Sequence, residues 1–358
     1  MNKYGIIMAG GSGSRFWPLS RKDRPKQLLN LTGKDFMVNE AIERLHYTVD
    51  MSNIYIVTSA TQKPLITKVT RDKVKESGFI VEPAARSTAP CIGLAAVKIL
   101  KQQGDGIMII TPSDAYIKDN TAFTRTVSYA VSSADKQDKL VTIGITPTYP
   151  ATGYGYIKFN KNEPEKAKPV LEFKEKPEKE IAEQYIKDGN YVWNSGMFVW
   201  RASTILEKYK EFAPDIYSDL LKIYDAIGTP EEDAVINEVY PQIREISVDF
   251  AIMEPAAAAG DVSVVYGDFG WNDIGTWDTF DVLYDEDENG NIVVGDSIIV
   301  DSKDNVIYGK KRVIATVGVE NLVIVDTDDA LLICKKDEAQ KVKTVVESLE
   351  KAGREDLI

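Results

Sequence analysis

Short runs of β-branched and aliphatic residues recur through the first half of the chain, at Tyr4–Ala9, Ile54–Thr58, Phe79–Glu82, Ile107–Thr111 and Leu140–Ile145. Apolar runs of this length, each ended by polar or glycine-bearing residues, predict buried strands. The stretches between them carry helical periodicity, most clearly Ala89–Leu100, where Ile92, Ala95, Ala96 and Ile99 fall on one face. Strands alternating with helices predict an α/β fold: a mostly parallel sheet with helices on both faces and ligands at the carboxyl ends of its strands.

From Val170 the pattern becomes mixed, with strand runs at Val170–Phe173, Met197–Trp200 and Val262–Tyr266 and a helical stretch at Ala202–Tyr209. The acidic, turn-prone segment from Asp285 to Gly290 sets a boundary between residues 1–284 and 285–358. Beyond it, short strands at Ile292–Val294, Ser297–Val300, Val306–Tyr308, Val313–Val317 and Leu322–Val325 are spaced by Gly, Asp and Asn turns. So regular a series predicts a small, solenoid-like β module. A final helix is expected within Asp337–Lys351, with Ala339, Val342, Val345, Val346 and Leu349 on one face.

At 358 residues the chain exceeds the roughly 250–300 at which single cores stop growing, so two domains are expected. The net charge of −12 disfavours nucleic acid and anionic lipid as partners, since both need a positive field. The N-terminus lacks a signal-peptide pattern and no apolar run reaches the ~18–20 residues of a membrane span, so a cytoplasmic protein is expected. Cys91 and Cys334 read as reduced core thiols, and a single histidine, His46, argues against His-based catalysis or a multi-histidine zinc site.

The segment Met8-Ala9-Gly10-Gly11-Ser12-Gly13-Ser14-Arg15-Phe16-Trp17-Pro18 follows the first strand. Glycines let backbone amides approach phosphate oxygens, and Arg15 adds a charge-assisted donor. A dinucleotide fingerprint would need a third glycine where Phe16 stands, and no Walker A string occurs. A second cationic element, Arg24-Pro25-Lys26-Gln27, strengthens phosphate binding over a plain strand-to-helix turn. Asp114, in Thr111-Pro112-Ser113-Asp114, ends a strand and offers a hard oxygen suited to magnesium, although a turn-capping aspartate fits the same letters.

The string GGSGSRFWPLSRKDRPKQLL, Gly10 to Leu29, closely resembles the signature of mannose-1-phosphate guanylyltransferases, a family of sugar nucleotidyltransferases. That resemblance implies a Rossmann-like, GT-A-like catalytic domain with a mixed, mainly parallel sheet, followed by a small β-helix-like module. It also implies the joining of GTP and mannose 1-phosphate into GDP-mannose and pyrophosphate, with Mg2+ as cofactor. Arg15 and Lys26 would contact the triphosphate, with Ala9, Gly10, Gly11 and Gly13 lining it. Trp271-Asn272-Asp273-Ile274-Gly275-Thr276-Trp277 is similar to the family's second metal-binding segment, making Asp273 the partner of Asp114. Within Glu82-Pro83-Ala84-Ala85-Arg86-Ser87-Thr88-Ala89, the family's nucleobase and ribose contacts fall on Glu82, Ser87, Thr88 and Ala89. A plain helix N-cap at Ser87 or Thr88 explains those letters equally well.

The sugar-phosphate contacts would be Gly155 of the GYGY segment, Glu175 and Lys176 of Glu175-Lys176-Pro177, and Asn194 of Trp193-Asn194-Ser195-Gly196. A tight turn and a charged strand end are the alternatives for the first two. Asp249 and Glu254, in Val248-Asp249-Phe250-Ala251-Ile252-Met253-Glu254, would support these contacts from behind. Two positions depart from the family: Ser87 stands where asparagine is common, and Ala115 where many relatives have histidine after the metal aspartate. The attacking group, a sugar phosphate, is already anionic, so the reaction needs proximity and charge neutralisation and no histidine base. A different nucleotide and sugar pair, or a noncatalytic nucleotide-sensing subunit, are the competing readings. Longer relatives carry a phosphomannose isomerase region with metal-binding histidines, which this chain is not expected to contain. A homodimer is expected, the β module serving either dimerisation or coverage of an active site.

Overall fold

The computed structural model describes residues 1–11 and 13–358, and the chain divides into two compact units. The first gathers Met1–Gly10, Ala41–Ser113 and Ile117–Trp271. The second gathers Gly11–Glu40, Asp114–Tyr116 and Asn272–Ile358. The glycine-rich segment from Gly11 onward and Asp114 thus share a unit with the C-terminal β strands.

Strands in chain order are β1 (Lys3–Met8), β2 (Ile54–Ser59), β3 (Phe79–Glu82), β4 (Ile107–Pro112), β5 (Tyr116–Ile117), β6 (Leu140–Ile145), β7 (Tyr156–Phe159), β8 (Lys168–Lys174), β9 (Tyr191–Arg201), β10 (Val262–Gly267) and β11 (Trp271–Asn272). The first unit is built on a nine-stranded sheet in the order β3-β2-β1-β4-β9-β6-β10-β8-β7. Strands β3, β2, β1 and β4 run parallel, while β9 pairs antiparallel with β4 and with β6, which makes the sheet mixed. From β1 the chain steps outward to β2 and β3 and then returns to the other side of β1 at β4, so the strand order reverses there. Open α/β sheets bind ligands at such a reversal.

Strand β9 extends well beyond the expected Met197–Trp200, because Asn194 and Gly196 interrupt the apolar run that marks the strand in sequence. Its register against β6 shifts between Thr142 and Gly144, an irregularity of the kind that re-aims side chains.

Helices α1 (Met37–His46), α2 (Lys63–Thr70), α3 (Thr88–Gln103), α4 (Asn120–Gln137), α5 (Lys179–Asp188), α6 (Ala202–Phe212), α7 (Pro214–Ala226), α8 (Glu232–Val239) and α9 (Glu254–Ala258) follow the strands. The expected face of α3, with Ile92, Ala95, Ala96 and Ile99, is buried in the first unit's core. There it meets α6 and α7 through residues such as Ile205, Tyr209, Ile216 and Leu220. A five-residue π-helical turn, Asp249–Met253, precedes α9. Such turns are rare and cluster at functional sites.

In the second unit the β runs form β12 (Ile292–Val294), β13 (Ser297–Val300), β14 (Val306–Gly309), β15 (Ile314–Val317), β16 (Leu322–Asp326) and β17 (Leu331–Lys335). Strands β12, β14 and β16 pair in parallel, as do β13 and β15, while β17 closes the larger sheet antiparallel. Buried asparagines continue the ladder at the turns: Asn305 Nδ2 donates to Asn291 Oδ1 at 2.9 Å, and Asn305 Oδ1 accepts from Leu322 N at 2.9 Å. These repeating parallel rungs fit the solenoid expectation. The last two thirds of the expected terminal helix is α-helical, as α10 (Val342–Lys351), with a 3-10 turn before it.

One core in this unit joins Phe16, Trp17, Leu19 and Leu29 to Ile274, Trp277, Phe280 and the strands of the β module. The Trp17 indole donates to the Leu357 carbonyl at 2.8 Å, and the Trp277 indole to the Trp17 carbonyl at 3.1 Å. No helix among the described residues is long and apolar enough to cross a membrane.

Candidate active site

In the second unit Lys26 is a buried cation at 5% exposure. Its ammonium donates to Asp114 Oδ2 at 3.0 Å and to the backbone carbonyl of Asp273 at 2.6 Å, with the Phe16 ring 5.7 Å from it. Three residues predicted from distant parts of the sequence are therefore brought together. Two turns place them. Gly13 has φ +62°, and a Cβ there would overlap Lys26 Cβ, so the glycine both permits the left-handed turn and makes room for the lysine stem. Gln27 Nε2 donates to the Gly11 carbonyl at 3.0 Å, tying the loop to the Lys26 turn. Arg15 lies in the intervening 3-10 turn, Ser14–Phe16, and is exposed to solvent.

Ile274 follows Asp273 at φ +42°, an unfavourable conformation for a β-branched residue. It is fully buried, and its N–H donates to Asn272 Oδ1 at 2.6 Å, which holds the turn that presents Asp273. Backbone strain of about 1–3 kcal/mol persists only where surrounding structure enforces it.

The structure fits a divalent cation in the chemistry of its donors. Asp114 has a side chain 38% exposed, a hard oxygen donor of the kind that binds magnesium together with substrate phosphates, whereas Asp273 meets Lys26 through its backbone carbonyl. Among the described residues no group of three or more Asp, Glu, His or Cys is arranged to cage a metal.

In the first unit, Ala9 and Gly10 follow β1, and Ala9 N–H donates to the Val57 carbonyl at 2.8 Å. Glu82 ends β3 as a buried carboxylate. Burial pushes its carboxyl above the ordinary range, and a hydrogen bond from the Tyr240 hydroxyl opposes that rise. Ser87 sits at φ +65° before α3 and makes no side-chain capping bond, so the N-cap reading fails there. Nor does Thr88 act as a cap: its Oγ1 accepts from Val248 N–H at 2.9 Å. Ala89 is fully buried, its N–H donating to the Ile246 carbonyl at 3.1 Å and its carbonyl accepting from Tyr209 Oη at 2.6 Å.

The predicted sugar residues also assemble in the first unit. Asn194 N–H donates to the Gly155 carbonyl at 2.8 Å, and Asn194 Nδ2 donates to Asp249 Oδ1 at 2.8 Å. Gly196 N–H donates to Asn194 Oδ1 at 3.2 Å, so the amide orientation is fixed from both ends. Glu175 packs over Gly155, where any Cβ would overlap Glu175 Oε2. Its side chain is 10% exposed, with Lys176 Nζ 3.4 Å from Oε1. Among the described residues Oε2 has no hydrogen-bond partner. Burial, then the neighbouring Asp249 carboxylate, raises the Glu175 carboxyl to about 7. Lys176 has φ +48° and an exposed side chain. Asp249 is half-buried, its carboxyl is raised by desolvation, and it stands in the π-helical turn.

Sequence reasoning did not find Tyr240. A tyrosine in a helical stretch before Pro241 carries no chemical signature until its partner across the fold is known.

Comparisons with known proteins bear on the family of the chain. A family model described as "Nucleotidyl transferase" matches residues 4–289, and one described as "MannoseP isomerase/GMP-like beta-helix domain" matches 295–349. The chain is 36% identical to the alginate biosynthesis protein AlgA of Pseudomonas putida, over 98% of this chain and 72% of that protein. It is 38% identical to a mannose-1-phosphate guanylyltransferase of Salmonella muenchen, over 98% of this chain and 74% of that one. Among solved structures, a Thermus thermophilus protein described as a mannose-1-phosphate geranyltransferase is 31% identical with a TM-score of 0.88, covering 98% of this chain and 100% of that one. The chain therefore belongs to the nucleotidyl transferase family and, within it, to the mannose-1-phosphate guanylyltransferases.

Proposed function

We propose that this protein transfers the guanylyl group of GTP to mannose 1-phosphate, releasing pyrophosphate and forming GDP-mannose. A phosphate oxygen of the sugar attacks the α-phosphorus, and the bond to the β-phosphate's bridging oxygen breaks. The observation that carries the reading is the buried Lys26 ammonium between the Asp114 carboxylate and the Asp273 carbonyl, at the head of a glycine turn. A fixed cation in a poorly hydrated setting stabilises the charge that develops on departing pyrophosphate.

In this reading Lys26 and Arg15 hold the triphosphate, and Gly10, Gly11 and Gly13 let backbone amides approach it. Asp114 and Asp273 would hold Mg2+, which when bound neutralises phosphate charge. In the first unit Glu82, Ser87, Thr88 and Ala89 take the base and ribose, while Gly155, Glu175 and Asn194 take the sugar hydroxyls. Lys176, exposed and cationic, receives the sugar phosphate. The attacking oxygen is anionic near neutral pH, so no side chain must remove a proton from it. A soluble, cytoplasmic homodimer is the working state we assign.

Pyrophosphate release, measured for GTP, UTP, dTTP and ATP against mannose 1-phosphate and glucose 1-phosphate, with and without a chelator, tests this. GTP with mannose 1-phosphate should give the highest kcat/KM, and chelation should abolish turnover. A higher value for another pair would overturn the substrate assignment. No release with any pair would leave a nucleotide-sensing subunit instead.

A further inference from the structure

Residues 240–248 run along the back of the segment proposed to hold the base. The Tyr240 hydroxyl donates to Glu82 Oε1, and an Arg86 guanidinium nitrogen donates to the Pro241 carbonyl. Ala89 N–H donates to the Ile246 carbonyl at 3.1 Å, and Val248 N–H donates to Thr88 Oγ1 at 2.9 Å. Four contacts thus brace Glu82, Arg86, Thr88 and Ala89 from one stretch of chain.

The contact to Glu82 differs in kind, because it decides what that carboxylate offers a ligand. Tyr240 is fully buried, and its hydroxyl takes up Glu82 Oε1. The other oxygen, Oε2, lies on the Gly10 side, 3.5 Å from where a Cβ of that residue would stand. A carboxylate held by one oxygen presents the second as a fixed acceptor. Guanine offers N1–H and a 2-amino group on its pairing edge. Adenine offers a lone pair at N1, which an ionised carboxylate repels.

We propose that Tyr240 is the positioning residue for nucleotide choice: its hydroxyl turns Glu82 so that Oε2 accepts from guanine and rejects adenine. This rests on the proposed role of Glu82 at the base. Among the described residues Cys91 on α3 also faces Glu82, and burial pushes its thiol well above the ordinary range, so it carries no charge near neutral pH. The Tyr240 phenol is likewise held neutral by burial and by Glu82. Removing the hydroxyl leaves burial unopposed, and Glu82 takes up a proton more readily. A neutral Glu82 no longer repels adenine N1 and can donate to it.

The test compares kcat/KM for GTP and ATP, with mannose 1-phosphate, in wild type, Tyr240→Phe and Glu82→Leu at pH 7. A hydrogen bond to a charged group corresponds to about tenfold to hundredfold, so Tyr240→Phe should lower the GTP-to-ATP ratio by that factor at pH 7. The loss should lie in KM for GTP, since a base contact serves ground state and transition state alike. In the doubly substituted protein the Tyr240 change should have no further effect on the ratio.

If Glu82→Leu keeps the wild-type ratio, the role of Glu82 falls and the present inference with it. If Glu82→Leu loses the ratio while Tyr240→Phe keeps it, Glu82 stands and the Tyr240 inference is overturned. An equal loss with both nucleotides in Tyr240→Phe, or an unfolded variant alongside an unchanged ratio in Tyr240→Trp, would show a packing role alone and overturn it as well.

Discussion

Replacing Lys26 by methionine keeps the unbranched stem beside Phe16 and removes the charge. At an effective dielectric of about 20, a unit of negative charge appearing ~3 Å from the ammonium is stabilised by roughly 5 kcal/mol. Water entering the vacated space would recover part of that. Loss of comparable fixed donors costs about 10²–10³ in kcat, or roughly 3–4 kcal/mol. The effect on folding is smaller and has two sources. Asp114 is 38% exposed, so its lost ion pair is worth at most about 1 kcal/mol, because water solvates the freed carboxylate. The Asp273 carbonyl loses a donor at 2.6 Å, a further ~1–3 kcal/mol if nothing replaces it.

Lys26→Met should therefore remain folded, with a modestly lower Tm, while kcat for pyrophosphate release falls by about two to three orders of magnitude. The assay is a continuous pyrophosphate measurement at saturating GTP and mannose 1-phosphate, paired with thermal unfolding of the same preparation. A folded variant turning over within about threefold of wild type would refute the assignment, since no interaction of the size derived for a fixed donor could then be at work.

Gly13→Ala should cost more stability than Lys26→Met, because the added Cβ is strained at φ +62° and overlaps Lys26 Cβ; it should also lower kcat, and wild-type turnover at an unchanged Tm would refute the packing of that turn. Glu175 gives a pH signature. Its folded carboxyl titrates near 7, above that of an unfolded chain, so the unfolded state ionises first and stability is lost as pH rises from the ordinary carboxylate range through 7. Glu175→Gln should accordingly raise Tm relative to wild type at pH 8 more than at pH 5, while raising KM for mannose 1-phosphate. A Tm difference independent of pH would show that the carboxyl is not held high.

Much of this protein was legible from the order of its letters. Apolar runs marked β1, β2, β3, β4 and β6, and the spacing of Ile92, Ala95, Ala96 and Ile99 marked α3, because burial of a strand or a helix face imposes a short, local period. The glycine turn, the Arg24-Pro25-Lys26 element and the strand-end aspartate were legible for a similar reason: phosphate and metal chemistry demands particular residue types beside particular turns. What the letters could not supply was pairing across the fold. Lys26, Asp114 and Asp273 lie far apart in sequence, and nothing local states that one ammonium meets the carboxylate of the second and the carbonyl of the third.

The apolar pattern marks only part of strand β9 because Asn194 and Gly196 break it, and pairing with β4, β6 and β7 holds the strand in one piece. The chain's division has the same origin. Compositional change at Asp285 suggests a single cut, yet residues 11–40 share a core with the β module, since Phe16, Trp17 and Leu29 find apolar partners in Trp277, Phe280 and Tyr308. Tyr240 and the positive φ at Ser87, Lys176 and Ile274 belong with these. A local pattern encodes what a residue can bury or donate, whereas the partner that uses it is set by contacts between segments whose separation in sequence carries no period to read.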